Sequence, residues 1–216
     1  MNLSVVTVII IAANVIASLK GFNDRMFFER YKFNIGAIRR GDQIRMFSSG
    51  FLHVNETHLL FNMITLYFFA DAVIFELGSV NFIIIYVASL VFGNLLSLYF
   101  HKEEYWYSAV GASGAVTGIL YAAILLRPDM NLYMFFVPIP IPGYVFGIGY
   151  LLYSIYGMKN RVGNIGHDAH FGGAVGGYVV TLILDPEIFK TDLLHVGLLA
   201  IPIVILFVMY KMGKLS

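Results

Sequence analysis

The sequence holds no cysteine, only one tryptophan and six prolines, and charged residues make up just 12% of it. Without cysteine there can be no disulfide, zinc–thiolate centre, iron–sulfur cluster or thiol nucleophile. The shortage of charge is equally informative, because a soluble domain carries about a quarter Asp, Glu, Lys and Arg. A formal net charge of +1 also excludes the concentrated basic face that nucleic acid requires.

What fills the chain instead is apolar: 59% of its 216 residues are hydrophobic and the mean hydropathy is +0.78. About 20 such residues span a hydrocarbon core as a helix, and the runs here predict an all-α, polytopic membrane bundle of seven spans. The first is expected over about 3–19, where NLSVVTVIIIAANVIASL lacks the basic n-region of a signal peptide. A polar stretch over about 20–55 follows and holds seven of the fourteen Lys and Arg residues. The second span covers about 57–77, turns at Gly78-Ser79, and returns as the third over about 81–100. After the polar and aromatic HKEEYWYS, which reads as an interfacial belt, the fourth runs over about 113–126 and stops at Arg127-Pro128. Pro138, Pro140 and Pro142 cannot occupy a helix interior, so the fifth is placed after them, over about 143–157. The sixth covers about 168–184, closed by Asp185-Pro186, and the seventh about 193–210.

The fourth span is too short. About fourteen residues make a helix of roughly 21 Å in a core of roughly 30 Å. It therefore begins inside the bilayer, and irregular backbone at that depth survives only against protein or a water-filled cavity.

Polar residues gather at one end of three spans. His58 and Asn62 are four apart and share a face near the start of the second. Ser113 opens the fourth, and His167 and His170 open the sixth. Successive spans alternate in direction, so the second, fourth and sixth all begin on one side of the membrane. Glycines mark which of them touch: Gly114 and Gly118 in the fourth, and Gly172/Gly176 and Gly173/Gly177 in the sixth, each form GxxxG. Such faces let backbones approach closely, which would bring Ser113 and His170 together.

The chemistry this permits is nucleophilic. A serine hydroxyl needs a base to take its proton, and a neutral imidazole can do so near pH 7. The oxyanion that follows needs fixed donors; Asn62, His58 and the backbone N–H of Ser113 are the candidates. Asp168 is nearest to His170 in sequence but two positions away, on another face. Taken singly, these residues have plainer readings: Ser113 as a small packing residue, Asn62 as an interhelical hydrogen bond of about 0.6 kcal/mol, and His53, His101 and His167 as structural or interfacial groups. Their convergence favours catalysis. A His-lined cation or proton path is the rival from another class, but the carboxylates within the spans, Asp71 and Glu76, lie at the far end of the second.

HVNETHLLFN, GASGAVTG and GHDAHFGGAVGG, in that order, resemble the rhomboid intramembrane serine proteases over about residues 45–184. The resemblance implies a six-helix core over about 1–186, an additional C-terminal helix over about 193–210, and one membrane domain over 1–216. It implies Ser113 as nucleophile and His170 as general base and acid in a dyad. His58 and Asn62 would help hold the oxyanion, with Gly111, Gly114, Gly118, Gly173 and Gly177 packing the site. It implies transmembrane protein substrates in a lipid bilayer, no metal, no cofactor, and a multi-pass protein of the cell membrane with its first loop outside. His53 matches a histidine frequent at the end of that loop. Three positions depart from the pattern. The Trp-Arg pair is Ile44-Arg45, and the glutamate expected to partner the arginine is Ile74, leaving Asp71 or Glu76 as its partner. The position four after the serine, often aromatic, is Thr117. An inactive relative that binds membrane helices without cutting them is the alternative, although the reacting serine and histidine are both present.

Overall fold

A computed structural model describes residues 4–134, 137–163 and 165–215. Helix α1 (Val5–Asn23) buries Thr7, Asn14, Ser18 and Gly21 while Val5, Val8, Ile9, Ile16 and Leu19 point outward. A water-soluble helix does the reverse. In lipid the surroundings are apolar, so greasy side chains face out and polar groups turn inward to find partners. Asn14 does so by donating to the carbonyl of Ile10 and the hydroxyl of Tyr86, at 2.9 and 3.3 Å. The helix begins at Val5, whereas residue 3 of the expected span lies outside the described residues. It also runs past residue 19 to Asn23, because Lys20 pairs with Asp24 one turn on at 2.8 Å.

The polar stretch is a folded loop, not a linker. It contains α2 (Arg25–Tyr31), β1 (Phe33–Asn34), α3 (Ile35–Arg39) and α4 (Arg45–Ser48). Asp24 caps α2 by accepting from Phe27 N–H, and Asn34 caps α3 by accepting from Ala37 N–H. Phe33, Ile35, Ile38 and Met46 form a small core of their own. Arg45 is buried and staples the loop: Nε donates to Asp42 at 2.8 Å, and one terminal nitrogen donates to the carbonyls of Glu29 and Lys32, both at 2.9 Å. This corrects the expectation of a distant partner. Neither Asp71 nor Glu76 pairs with Arg45; Glu76 pairs with Arg127 at 3.0 Å. A carboxylate three residues away, inside the same loop, is the nearer solution.

Helix α5 (Glu56–Phe100) contains the second and third expected spans, joined at Gly78, whose φ of 81° and ψ of 166° break the helix. Only glycine adopts that conformation without strain. The two arms are antiparallel, since both ends of α5 meet the same loop. Asn94, near the end, donates to Ser49 Oγ, and Gly111 N–H donates to the carbonyl of Ser49 while its Cα lies against His58, near the start.

Helix α6 (Ser113–Leu126) sits at the centre. Every residue from Gly114 to Leu125 is buried, enclosed by α5, α7 (Gly143–Asn160) and α8 (His167–Leu184). Between α6 and α7 a hairpin of β3 (Asn131–Met134) and β4 (Val137–Pro142) takes up the prolines, with Asn131 opposite Pro142 and Tyr133 opposite Pro140. A further short pair joins β1 to β2 (Ser108–Ala109), so the first loop is hydrogen-bonded to the segment that leads into α6. A short α9 (Ile188–Thr191) precedes α10 (Leu193–Lys211), which leans on the bundle. The Tyr178 hydroxyl donates to the carbonyl of Val196, and Tyr210 meets Tyr99 hydroxyl to hydroxyl. Among the described residues, α1, α5 and α10 are long and apolar enough to cross a membrane. α6, at roughly 21 Å, is not, and it is the helix with no lipid-facing side.

Candidate active site

The approach to Ser113 is built by Gly111, at φ 136°. A Cβ at that position would stand 2.7 Å from His58 Cε1 and 3.6 Å from Ser113 Oγ. Absence of that carbon is what lets the imidazole of α5 and the hydroxyl of α6 share one chamber. Ser113 is half-buried and its carbonyl accepts from Thr117 Oγ1 at 2.7 Å.

The backbone just before the serine is held by a relay. Ala112 N–H donates to His53 Nε2 at 3.4 Å, so His53 carries its proton on Nδ1. That Nδ1–H donates to Ser18 Oγ at 2.8 Å, and Ser18 in turn donates to the carbonyl of Phe51 at 3.0 Å. His53 is fully buried, and its ring stands 5.0 Å from that of His58, edge to face. Ser18 of α1 thus reaches the serine's own turn through one imidazole.

Helix α8 lies backbone to backbone against α6. Gly173 fits over the carbonyl of Gly114, and Gly177 over that of Gly118. On its other side Gly172 fits against Phe92 and Gly93 of α5, with a Cβ there 2.6 Å from the Phe92 carbonyl. The same contact brings Ala169 against Gly114, a Cβ on the glycine standing 3.1 Å from its carbonyl oxygen. Ser113 and His170 flank that pair. No hydrogen bond joins Ser113 Oγ to His170 among the described residues. Instead His170 Nδ1 shares a 2.8 Å hydrogen bond with the hydroxyl of Tyr150 on α7, which leaves Nε2 as the nitrogen free for other work.

Among the described residues, three buried nitrogens in this region lack partners: Asn62 Nδ2, His58 Nδ1 and His167 Nδ1. A buried amide N–H2 without an acceptor is costly, by about 1–3 kcal/mol, so it calls for an explanation. Asp168 does not orient His170. It stands 3.5 Å from His101 Nε2, and His101 also pairs with Glu104 at 3.0 Å and stacks on Tyr107 at 3.6 Å. His167 is likewise not aimed at the serine. Its Nε2 donates to the carbonyl of Val162 at 3.2 Å, and its ring covers Gly157. Among the described residues no group of three His, Asp or Glu is placed to hold a metal ion.

Tyr150 and Ser18 are the contributors that reading the sequence missed. Tyr150 is one of several tyrosines in α7, in GYVFGIGYLLYSIYG, and no spacing distinguishes it from the rest. Ser18 carried a signal: it is one of the few polar residues on an otherwise apolar first helix, the kind that turns inward.

Fold and chamber together define a polytopic helical membrane protein with a polar site sunk between helices, at the start of a short central one. Residues 40–187 match the family model described as Rhomboid domain. RHOMBOID-like protein 12, mitochondrial, of Arabidopsis thaliana is 27% identical over 185 residues, covering 79% of this chain and 55% of that protein. Rhomboid protein 1, mitochondrial, of Saccharomyces cerevisiae is 30% identical over 151 residues, covering 68% of this chain and 44% of the relative. Rhomboid protease GluP of Bacillus subtilis is 31% identical over 147 residues, covering 68% of this chain and 27% of the relative. The chain belongs to the rhomboid family, and it spans about half or less of the length of these relatives.

Proposed function

We propose that this chain is an intramembrane serine endopeptidase, acting on peptide bonds in or near the transmembrane helices of other proteins. One observation carries the reading. Ser113 shares a chamber with the His58 ring at Gly111, while the glycine contact of α6 and α8 sets it beside the turn that bears His170. Family membership, and a relative named a rhomboid protease, point the same way.

The steps follow from the groups present. Ser113 Oγ attacks the substrate carbonyl carbon as His170 Nε2 takes the hydroxyl proton. The oxyanion draws on Asn62 Nδ2, His58 and the Ser113 N–H. Collapse of the tetrahedral intermediate breaks the C–N bond, and His170 gives its proton to the departing amine. Water then attacks the acyl carbon, losing a proton to His170, and His170 returns that proton to Ser113 Oγ as the C–Oγ bond breaks. Proton transfer requires heavy atoms within about 3.2 Å, so Ser113 and His170 close on each other when substrate binds. In this reading 1–216 is one membrane domain, with α10 added to a six-pass core. Its place is the cell membrane, and a mitochondrial membrane is the alternative that two of the relatives raise.

The missing hydrogen bond between Ser113 and His170 favours one second reading, a rhomboid that binds membrane helices without cutting them. The test is incubation of the purified protein in detergent with a model transmembrane substrate, beside Ser113→Ala and His170→Ala. Cleavage by the parent chain alone, with fluorophosphonate labelling lost in Ser113→Ala, is the expected result. Cleavage that survives either substitution overturns the dyad, and binding without cleavage by the parent chain supports the second reading.

A further inference from the structure

The contact that most needs a role is the one between Tyr150 and His170. The phenol oxygen lies 2.8 Å from His170 Nδ1, and the two rings run nearly parallel, 22° apart with centroids 6.1 Å from each other. Phe146, one turn earlier on α7, stacks on Tyr150 at 5.9 Å and 12°. The phenol and imidazole rings therefore meet edge to edge through their hydrogen bond, and it is that bond that ties the imidazole to the phenol. Thr117 Oγ1 donates to the carbonyl of Ser113 at 2.7 Å.

We propose that Tyr150 is a positioning residue for His170: its phenol oxygen accepts the Nδ1–H and thereby holds the neutral imidazole in the tautomer whose Nε2 is bare. This rests on the assignment of His170 as the base. A neutral imidazole has one N–H and one lone-pair nitrogen, and the hydrogen bond made by one sets the state of the other. If Nδ1 were the bare nitrogen, accepting from the phenol, Nε2 would carry the proton and could not take another. Acceptance by Tyr150 excludes that state. When Nε2 gains the serine proton, the Nδ1–H becomes that of an imidazolium, and its bond to the phenol oxygen becomes charge-assisted and stronger. Asp168, the carboxylate nearest in sequence, lies instead 3.5 Å from His101 Nε2.

Two measurements on the full chain in detergent test this. First, nitrogen-15 NMR of histidine-labelled protein, with the His170 signals assigned by difference from His170→Gln, should show Nδ1 protonated and Nε2 bare. In Tyr150→Phe the two tautomers should mix. An unprotonated Nδ1 in the parent chain, or an unchanged spectrum in Tyr150→Phe, overturns the proposal, and neither outcome depends on whether the protein cleaves anything. Second, with a model transmembrane substrate, Tyr150→Phe should lower kcat about tenfold, the worth of one neutral hydrogen bond, and leave KM within about twofold. Tyr150→Ala, which also removes the ring, should fall further. Equal kcat in the parent and Tyr150→Phe, at matched unfolding temperature, overturns the proposal. A parent chain that does not cleave, yet shows the expected NMR signature, overturns the protease reading alone.

Discussion

The joint between α6 and α8 makes the sharpest prediction. Gly173 sits against the carbonyl group and Cα of Gly114, and a methyl there would fall well inside contact distance of all three atoms. All are backbone, so no rotamer change can relieve the overlap; α8 itself has to withdraw by more than about 1 Å, and overpacking of that order costs about 1–3 kcal/mol. His170 lies within one turn of Gly173 on the same helix, and Ser113 adjoins Gly114. A misplacement of about 1 Å between reacting groups lowers a rate about 100-fold. Gly173→Ala should therefore lose both unfolding temperature and, if the protein cleaves as proposed, about two orders of magnitude in rate. The measurements are thermal unfolding in detergent and initial cleavage of a model transmembrane substrate. Gly197→Ala is the control, because a Cβ there meets nothing within 4 Å. An unchanged unfolding temperature in Gly173→Ala would refute the close approach of the two helices. A lowered temperature with a full rate would refute the argument that packing places the dyad.

Two further outcomes are expected. Asn62→Ala removes a buried donor that has no acceptor among the described residues; stability should hold or rise while kcat falls about 100-fold or more, the cost of losing one oxyanion donor, and a loss confined to stability would remove Asn62 from the site. His101 titrates above its ordinary value of 6.5: burial opposes the charged form, but the hydrogen bond and charge of Asp168, and then those of Glu104, outweigh it. Arg161 also reaches Glu104, at 3.3 Å. A raised value in the folded state means that His101 stabilises fully below about pH 6.5 and loses that effect as pH climbs through its folded value. The unfolding-temperature advantage of the parent chain over His101→Gln should thus shrink as pH rises above about 6.5, and an advantage independent of pH would refute the pairing.

Much of this molecule was legible in its sequence because lipid imposes simple rules. Apolar runs set span lengths, Gly78 and the alternating prolines set breaks, and Arg127-Pro128 gave away the short central helix. The alternation of antiparallel spans was enough to put His58, Ser113 and His170 at one depth. The rest depended on rotation and register, which periodicity does not reveal in a helix that is apolar all round. Tyr150 points at His170 only because α7 is turned as it is, and nothing in a run of tyrosines marks that one. The pairing of β1 with β2 joins segments far apart in the chain, each too short to show a strand pattern. Arg45 is a different kind of miss. Its partner is Asp42, three residues away in the same loop, which makes a contact across the bundle unnecessary.

The complete enclosure of α6 bears on the order of assembly. A helix too short to span the bilayer, with no face suited to lipid, has no stable station there by itself. It waits for α7 and α8, which leave the ribosome later, and the glycine-lined face it keeps for α8 stays open in the interval. During synthesis the chain thus carries the hydroxyl of Ser113 for some time before the imidazole of His170 exists beside it. Whatever chemistry the chamber performs is withheld from a half-made protein, and a chain truncated before α8 should be seen by the cell as an unfinished membrane protein.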